Sequence, residues 1–110
     1  MQIIDDTLQA LGITRNYRGY PHTAYALELT VEDENRLRAV TKEIYFATAE
    51  HFHCHWTSVE RNIRTVVQRV RRINPVLLDE MAGFHLITTP TNGEFLGIIT
   101  AYIQKNIQPR

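Results

Sequence analysis

The chain has 110 residues, enough for one domain built around one hydrophobic core. Hydrophobic residues make up 44% of it, charged residues make up 22%, and the formal net charge is zero, as in an ordinary globular protein. The apolar runs are too short to span a bilayer, the acidic N-terminus does not resemble a secretory signal, and the single cysteine, Cys54, excludes an internal disulfide. We therefore expect one cytoplasmic domain, 1–110, that does not contact a membrane.

The first half of the chain carries helical patterns. Apolar residues recur at helical spacing over residues 3–11, and Gly12 follows them as a stop. The turn at residues 18–21 predicts the start of a second helix that runs to about Glu34. A third apolar series covers residues 37–52 and leads into the most informative segment of the chain.

The next predicted helix covers residues 57–73. Thr57 or Ser58 is expected to cap its start, because both residues have a side-chain oxygen that accepts a backbone N–H. The Asn-Pro pair at 74–75 should end it, since proline cannot continue a helix.

The C-terminal part carries clear helix signals and one ambiguous stretch. A short helix is predicted over residues 76–81, stopped by Gly83. Residues 84–89 are β-branched and are compatible with either an extended connection or a short strand. Thr91 and Glu94 have the spacing of a capping box, which predicts a last helix that buries apolar residues up to 103.

Residues 49–63 have the spacing of a helix-turn-helix. A small residue, Ala49, stands where two helices must approach closely, and Phe52 follows at helical spacing. Val59 and Ile63 lie one turn apart on the second helix, where they would face back toward the first. We expect these four residues and Val67 to share one core. In DNA-binding proteins of this type the second helix lies in the major groove.

Charge is distributed unevenly along the chain. Residues 1–56 carry a balance of −3 and residues 73–110 a balance of −1. Residues 57–72 carry a balance of +4, because they contain five arginines and a single acidic residue, Glu60. This concentration of arginine on one helix is the electrostatic footprint of a DNA-binding element. The alternative interpretation is a solvated helix face, which explains most charge runs.

The run His51-x-His53-Cys54-His55 contains several potential metal ligands. A structural zinc site takes its ligands from two separated pairs, and no second Cys/His pair exists, so we expect no metal and no cofactor. His53 is instead expected to adopt a left-handed turn, with Cys54 buried under it. A Cys–His nucleophile is disfavoured because neighbouring turn residues rarely point at each other. We therefore predict that the chain is not an enzyme.

These motifs closely resemble the C-terminal effector domain of the stage-zero sporulation response regulator, which controls the initiation of sporulation. The string Ser58-Val59-Glu60-Arg61-x-Ile63-Arg64 is similar to the recognition motif of that family. The resemblance also covers Leu11-Gly12-Ile13, Arg18-Gly19-Tyr20, Thr41-Lys42-Glu43-Ile44-Tyr45 and Pro90-Thr91-Asn92-Gly93-Glu94-Phe95. It therefore extends over nearly the whole chain.

The resemblance implies an all-α fold of about six helices, with a central helix-turn-helix and no wing, of the response-regulator effector type. It implies a transcription regulator whose partner is double-stranded DNA. It also implies a second copy of the domain lying head-to-tail on adjacent sites, and contact with RNA polymerase. No receiver domain is present in these residues.

The resemblance also assigns roles along the recognition helix at 57–73. Glu60 and Arg61 would be the main contacts to base edges, and Arg64 would join them in the groove or on a phosphate. Thr57 and Ser58 would contact phosphate at the helix start. From their position at the far end of the helix, we expect Arg71 and Arg72 to contact phosphate at most.

An alternative function is a protein-interaction or dimerisation module, derived from such a domain, that no longer binds DNA. The recognition helix distinguishes the two functions. A domain that had lost DNA binding would have little reason to keep Arg61 and Arg64 exposed beside Glu60.

Overall fold

The regular structure of the protein is entirely helical in the part that the computed structural model describes, residues 1–107. Six α-helices are accompanied by a 3₁₀ helix and a π-helical segment. In chain order they are α1 (Gln2–Ala10), α2 (Tyr20–Glu32), the 3₁₀ helix (Glu34–Ala39), the π segment (Thr41–Tyr45), α3 (Phe46–Phe52), α4 (Trp56–Ile73), α5 (Pro75–Ala82) and α6 (Asn92–Ile107). The predicted all-α class is confirmed, and α3 and α4 form the helix-turn-helix.

Most helix ends follow from their local sequence. α1 and α5 are each followed by a glycine with positive φ, Gly12 at 94° and Gly83 at 85°, as predicted. The capping box is also confirmed. The Glu94 amide donates to the Thr91 hydroxyl at 3.1 Å, and the Thr91 amide donates to the Glu94 carboxylate at 2.8 Å.

The start of α4 differs from the prediction. α4 begins at Trp56, and its N-cap is His55, whose Nδ1 accepts a hydrogen bond from the Thr57 amide at 3.3 Å. His55 has the extended backbone of a cap residue, and its ring nitrogen replaces the usual side-chain oxygen. The prediction of Thr57 or Ser58 as the cap is therefore wrong, and both residues lie inside the first turn.

Residues 84–89 form neither a helix nor a strand. Phe84 and Ile87 are 62% and 86% exposed, so this stretch lacks the buried face that a strand would need. Leu86 is buried, and its amide donates to the Asp79 carboxylate at 3.0 Å. Hydrogen bonds to a side chain of α5 therefore hold the loop, and strand pairing does not.

The core is organised around α4. Helices α2, α3, α5 and α6 and the π segment all contact it. Its buried side chains recur at helical spacing and are Val59, Ile63, Val66, Val67 and Val70. α6 is the largest neighbouring source of buried apolar residues, and it also covers α2 and α5. The polar residues of α4 therefore lie on its exposed face and on its two half-buried flanks.

Two predictions about the turn between α3 and α4 need correction and one is confirmed. His53 has φ 56° and ψ 48°, the left-handed conformation predicted for it. Phe52 is only half-buried and packs edge-on against the rings of His22 and His51, at centroid distances of 4.9 and 4.8 Å. Cys54 is exposed, with Sγ 3.9 Å from His22 Nε2. Ala49, Val59, Ile63 and Val67 are buried as expected, whereas Phe52 and Cys54 lie at the surface edge.

Gly19 allows the start of α2 to approach α4 closely. A Cβ atom at this position would lie 2.4 Å from the carbonyl oxygen of Asn62 and 2.7 Å from Cγ2 of Val66. Gly19 has φ −86°, so its backbone conformation is available to any residue. The requirement for glycine at this position is therefore steric.

We expect Gly19→Ala to destabilise the protein by about 1–3 kcal/mol, because the added methyl group overpacks the contact with α4. Gly97→Ala is the matched control. It lies inside α6, where a Cβ would meet only Leu37 at 3.9 Å. This change should stabilise the protein by up to about 1 kcal/mol, since alanine favours the helix. Thermal melts of both variants should shift in opposite directions, and a shift of the same sign would contradict the steric argument.

Candidate nucleic-acid interface

One face of α4 is polar and exposed from its second turn to its C-terminal end. Arg61, Thr65, Gln68 and Arg72 are exposed and follow one another at intervals of four, three and four residues, which places them in one row. We call these four residues the α4 stripe. Because α4 has 18 residues, it is about 27 Å long, and its opposite face is buried in the core. The stripe is therefore carried by a rigid, well-supported helix.

The N-terminal turn of α4 is fixed by aromatic packing. The Trp56 ring stacks near-parallel on the Tyr45 ring, with 6.3 Å between the ring centroids. The Phe46 ring packs against Trp56 at an interplanar angle of 65°, with 5.9 Å between the centroids. Thr57 and Ser58 follow Trp56 and are half-buried. The Thr57 hydroxyl lies 2.8 Å from His55 Nδ1. This hydroxyl therefore belongs to the cap, while Ser58 in the same turn makes no side-chain hydrogen bond within residues 1–107.

Glu60 and Arg64 form an ion pair one turn apart on α4. Glu60 is half-buried and Arg64 is exposed. The pair borders an open cleft of about 520 Å³ between α4, the π segment and the loop before α6. In this conformation the Glu60 carboxylate accepts a hydrogen bond from the Arg64 guanidinium. Arg61, by contrast, has no ion pair within residues 1–107.

The five arginines of α4 occupy different environments. Arg72 belongs to the stripe and is exposed. Arg71 is half-exposed and donates a hydrogen bond to the Leu86 carbonyl at 3.2 Å. Arg69 lies over the ring of Tyr17, 4.8 Å from its centroid. The local charge of +4 is therefore shared among the exposed face and two flanks of the helix.

Asn92 connects α6 and the π segment to α4. Its buried side-chain amide donates to the Tyr45 hydroxyl at 2.9 Å and to the Glu60 carbonyl at 3.0 Å. Sequence reasoning missed this role, because an asparagine beside a helix cap is explained locally by its preference for helix ends. Its two acceptors lie 47 and 32 residues earlier in the chain.

His22 forms a similar connection from α2. Its Nδ1 lies 3.0 Å from Nδ2 of Asn62 on α4. Burial lowers the pKa of His22 below its ordinary value of about 6.5, because the charged ring is poorly solvated. The neutral ring can accept the hydrogen bond from Asn62, whereas protonation of Nδ1 would remove that acceptor.

Residues 1–107 contain neither a clustered metal site nor a membrane-spanning helix. No group of three or more His, Cys, Asp or Glu side chains is placed to hold a metal ion in this range. No helix in the same range is long and apolar enough to cross a membrane.

The chain matches a known protein family over almost its whole length. The family model described as sporulation initiation factor Spo0A C terminal matches residues 4–103. The matched range starts in α1, ends in α6 and includes all of α4. The resemblance inferred from the sequence motifs is thereby confirmed.

We expect Asn92→Ala to lower the free energy of unfolding by about 1–3 kcal/mol, because two buried acceptors lose their donor. Asn106→Ala is a matched control on the same helix, since Asn106 is exposed and its side chain bonds, among residues 1–107, to the Tyr102 carbonyl alone. The control should change stability by less than about 0.5 kcal/mol. Urea denaturation measures both, and equal losses would show that Asn92 does not hold α4.

The lowered pKa of His22 predicts a loss of stability in acid. The unfolded chain takes up a proton as pH falls through about 6.5, while folded His22 stays neutral until a lower pH. The contribution of His22 to the free energy of unfolding should therefore be fully present above this pH and should decline below it. His22→Gln should reduce the difference between unfolding free energies at about pH 7 and pH 5. An unchanged difference would show that another group causes any acid sensitivity.

Proposed function

The chain belongs to the family of sporulation initiation factor Spo0A C-terminal domains, and we propose that it binds double-stranded DNA sequence-specifically through α4. The family consists of DNA-binding effector domains of transcription regulators that act in sporulation. The observation that carries the proposal is the α4 stripe. It presents Arg61, which has no ion-pair partner in the part of the chain that the structure describes, near the start of a helix whose other face is buried.

We assign the contact to base edges to Arg61. An α-helix fits the major groove, and residues near the N-terminus of a recognition helix reach the bases. Arg61 is exposed and has no ion-pair partner among residues 1–107, so its guanidinium can form a bidentate contact with guanine. Such a contact is worth about 1–3 kcal/mol of discrimination against other bases.

Glu60 and Arg64 take a second role in this proposal. Their ion pair holds both side chains beside Arg61 in the free protein. DNA would compete for both charges, because Glu60 can accept from cytosine and Arg64 can contact guanine or a phosphate. A surface ion pair costs little to open, about 0–1 kcal/mol, so the exchange is feasible.

Phosphate contacts complete the interface. Thr57 and Ser58 lie in the first turn of α4, where backbone N–H groups also point outward. Arg72 lies at the far end of the exposed stripe, and Arg71 beside it would have to release the Leu86 carbonyl. These contacts would position the helix without distinguishing sequences.

A second candidate function is self-association or protein binding. Val76 on α5 and Phe84 and Ile87 in the following loop are 68%, 62% and 86% exposed. Exposed apolar residues of this kind are suited to a protein partner. If the domain also binds DNA, we propose that the partner is a second copy lying head-to-tail on the adjacent site, or RNA polymerase. If it is an interaction or dimerisation module alone, the partner is another protein or a second copy in solution. A domain that used only this surface would bind no DNA.

The test begins with duplexes selected by the wild-type chain from a random library. Arg61→Ala should weaken binding to the selected duplex by about 1–3 kcal/mol and relax preference at one base pair. Arg72→Ala should weaken binding to selected and shuffled duplexes alike and reduce the salt slope by about 0.9. Arg71→Ala should have the same kind of effect if Arg71 also reaches a phosphate. Fluorescence anisotropy measures all of these affinities.

Two outcomes would overturn the proposal. Wild-type protein that binds no duplex at low salt would favour the interaction module. Arg61→Ala protein that keeps the base preferences of the wild type would remove Arg61 from base recognition.

A further inference from the structure

A small cationic pocket lies between α4 and the turn that precedes α2. Its volume is about 210 Å³. The residues that line it come from both elements and are Arg18, Gly19, Ser58, Arg61, Asn62 and Thr65. We call it the Arg18 pocket. Arg61 and Thr65 belong to the α4 stripe, so the pocket opens beside the proposed DNA-binding face, whereas Arg18 lies outside the helix-turn-helix.

The turn that carries Arg18 is anchored to α4 on both sides of this residue. Gly19 approaches the Asn62 carbonyl too closely for any side chain. Tyr17 packs under the guanidinium of Arg69, and its carbonyl accepts a hydrogen bond from the Tyr20 amide at 3.0 Å. The position of Arg18 relative to α4 is therefore fixed by contacts of its neighbours.

The pocket contains positive charge that no acid neutralises. Arg18 and Arg61 are both exposed, and neither forms an ion pair within residues 1–107. No Asp or Glu lines the pocket. Two guanidinium groups that share one pocket repel each other, and a bound anion relieves the repulsion.

The neutral groups of the pocket include one free donor. The Thr65 hydroxyl already donates to the Arg61 carbonyl at 2.9 Å, so it cannot donate to a ligand at the same time. The Ser58 hydroxyl makes no side-chain hydrogen bond within residues 1–107 and can donate. Because Arg61 is assigned to a base, the Arg18 guanidinium and the Ser58 hydroxyl are the donors that the pocket offers to phosphate oxygens, and the charge of Arg61 adds to the attraction.

We propose that the Arg18 pocket binds one backbone phosphate of DNA, with Arg18 as its principal cation. This inference rests on the proposed function, since α4 must bring DNA to the pocket. The contact comes from a second element of the fold and grips the backbone next to the base contacted by Arg61. It fixes the register of α4 along the groove and carries no sequence information of its own.

The test compares Arg18→Gln with wild type on the selected duplex and on a shuffled duplex. Raising the salt concentration from about 50 to 200 mM lowers the DNA affinity of both proteins. The factor by which the affinity of Arg18→Gln falls should be about 3.5 times smaller than the factor for wild type, because one phosphate contact contributes about 0.9 to the salt slope. The affinity ratio between the two duplexes should stay that of wild type. Arg18 is exposed, so an unchanged melting temperature should accompany these results.

Arg38→Gln is the matched control. Arg38 is exposed and forms no ion pair within residues 1–107, and the 3₁₀ helix that carries it contacts α2, α6 and the π segment but not α4. This variant removes the same charge from elsewhere on the surface. It should keep the wild-type salt slope on both duplexes.

Three results would overturn the inference. If Arg18→Gln matches wild type and Arg38→Gln while Arg61→Ala still relaxes base preference, the pocket holds no DNA phosphate and the proposed function survives. If Arg18→Gln alters base preference, Arg18 contacts a base instead. If wild type binds no duplex, the proposed function and this inference both fail.

Inorganic phosphate distinguishes a DNA phosphate from a free anion. Melting temperatures of the DNA-free chain are compared in phosphate and in chloride at equal ionic strength. We expect the difference in melting temperature between phosphate and chloride to be the same for wild type and for Arg18→Gln. A phosphate-dependent increase that is lost in Arg18→Gln, together with an unchanged salt slope on DNA, would assign the pocket to free phosphate and overturn the proposal.

Discussion

The burial of one face of α4 is the constraint on which the rest of the structure depends. Each fully buried valine or isoleucine on that face contributes roughly 1.5–3 kcal/mol, and the whole domain has a net stability of only about 5–15 kcal/mol. Helices α2, α3, α5 and α6 and the π segment cover this face, which leaves the stripe from Arg61 to Arg72 open to solvent. Helical phase therefore decides which arginines can meet a ligand.

Helical phase also explains why an overall neutral chain can present a cationic surface. Five arginines lie within 12 residues, but the structure commits Arg69 to an aromatic ring and Arg71 to a loop carbonyl. Arg64 is paired with Glu60, and Arg61 and Arg72 on the exposed face form no ion pair with any residue of the described part of the chain. A count of charges overestimates the number of free cations on α4. It also omits Arg18, which tertiary packing brings to the same surface.

The sequence predicted those features that depend on neighbouring residues. The valine face of α4, the glycine ends of α1 and α5 and the capping box at Thr91 all follow from signals within one or two helical turns. The same local reasoning was wrong at the start of α4, because a histidine acts as the cap where hydroxyl residues were expected. It was also wrong for Phe52, whose spacing fits a core position although its ring packs at the surface edge against residues of α2.

The contacts that position α4 could not be predicted, because each joins residues far apart in sequence. Asn92 bonds to Tyr45 and Glu60, and His22 bonds to Asn62 at a separation of 40 residues. The close approach of Gly19 to Asn62 belongs to the same class. None of these residues stands in a local sequence pattern that indicates its distant partner.

These long-range contacts give the recognition helix a rigid frame, and rigidity has a direct consequence for binding. A guanidinium on a mobile turn would lose conformational entropy when it engaged a phosphate, which would offset much of the gain. Arg18 lies on a turn whose neighbours are fixed against α4, so only its own side chain has to be ordered. Its distance from the Arg61 backbone is set before DNA arrives. A phosphate contact held at a fixed separation from the base-contacting side chain sets how α4 lies along the groove of any duplex, and the choice between sequences is left to Arg61.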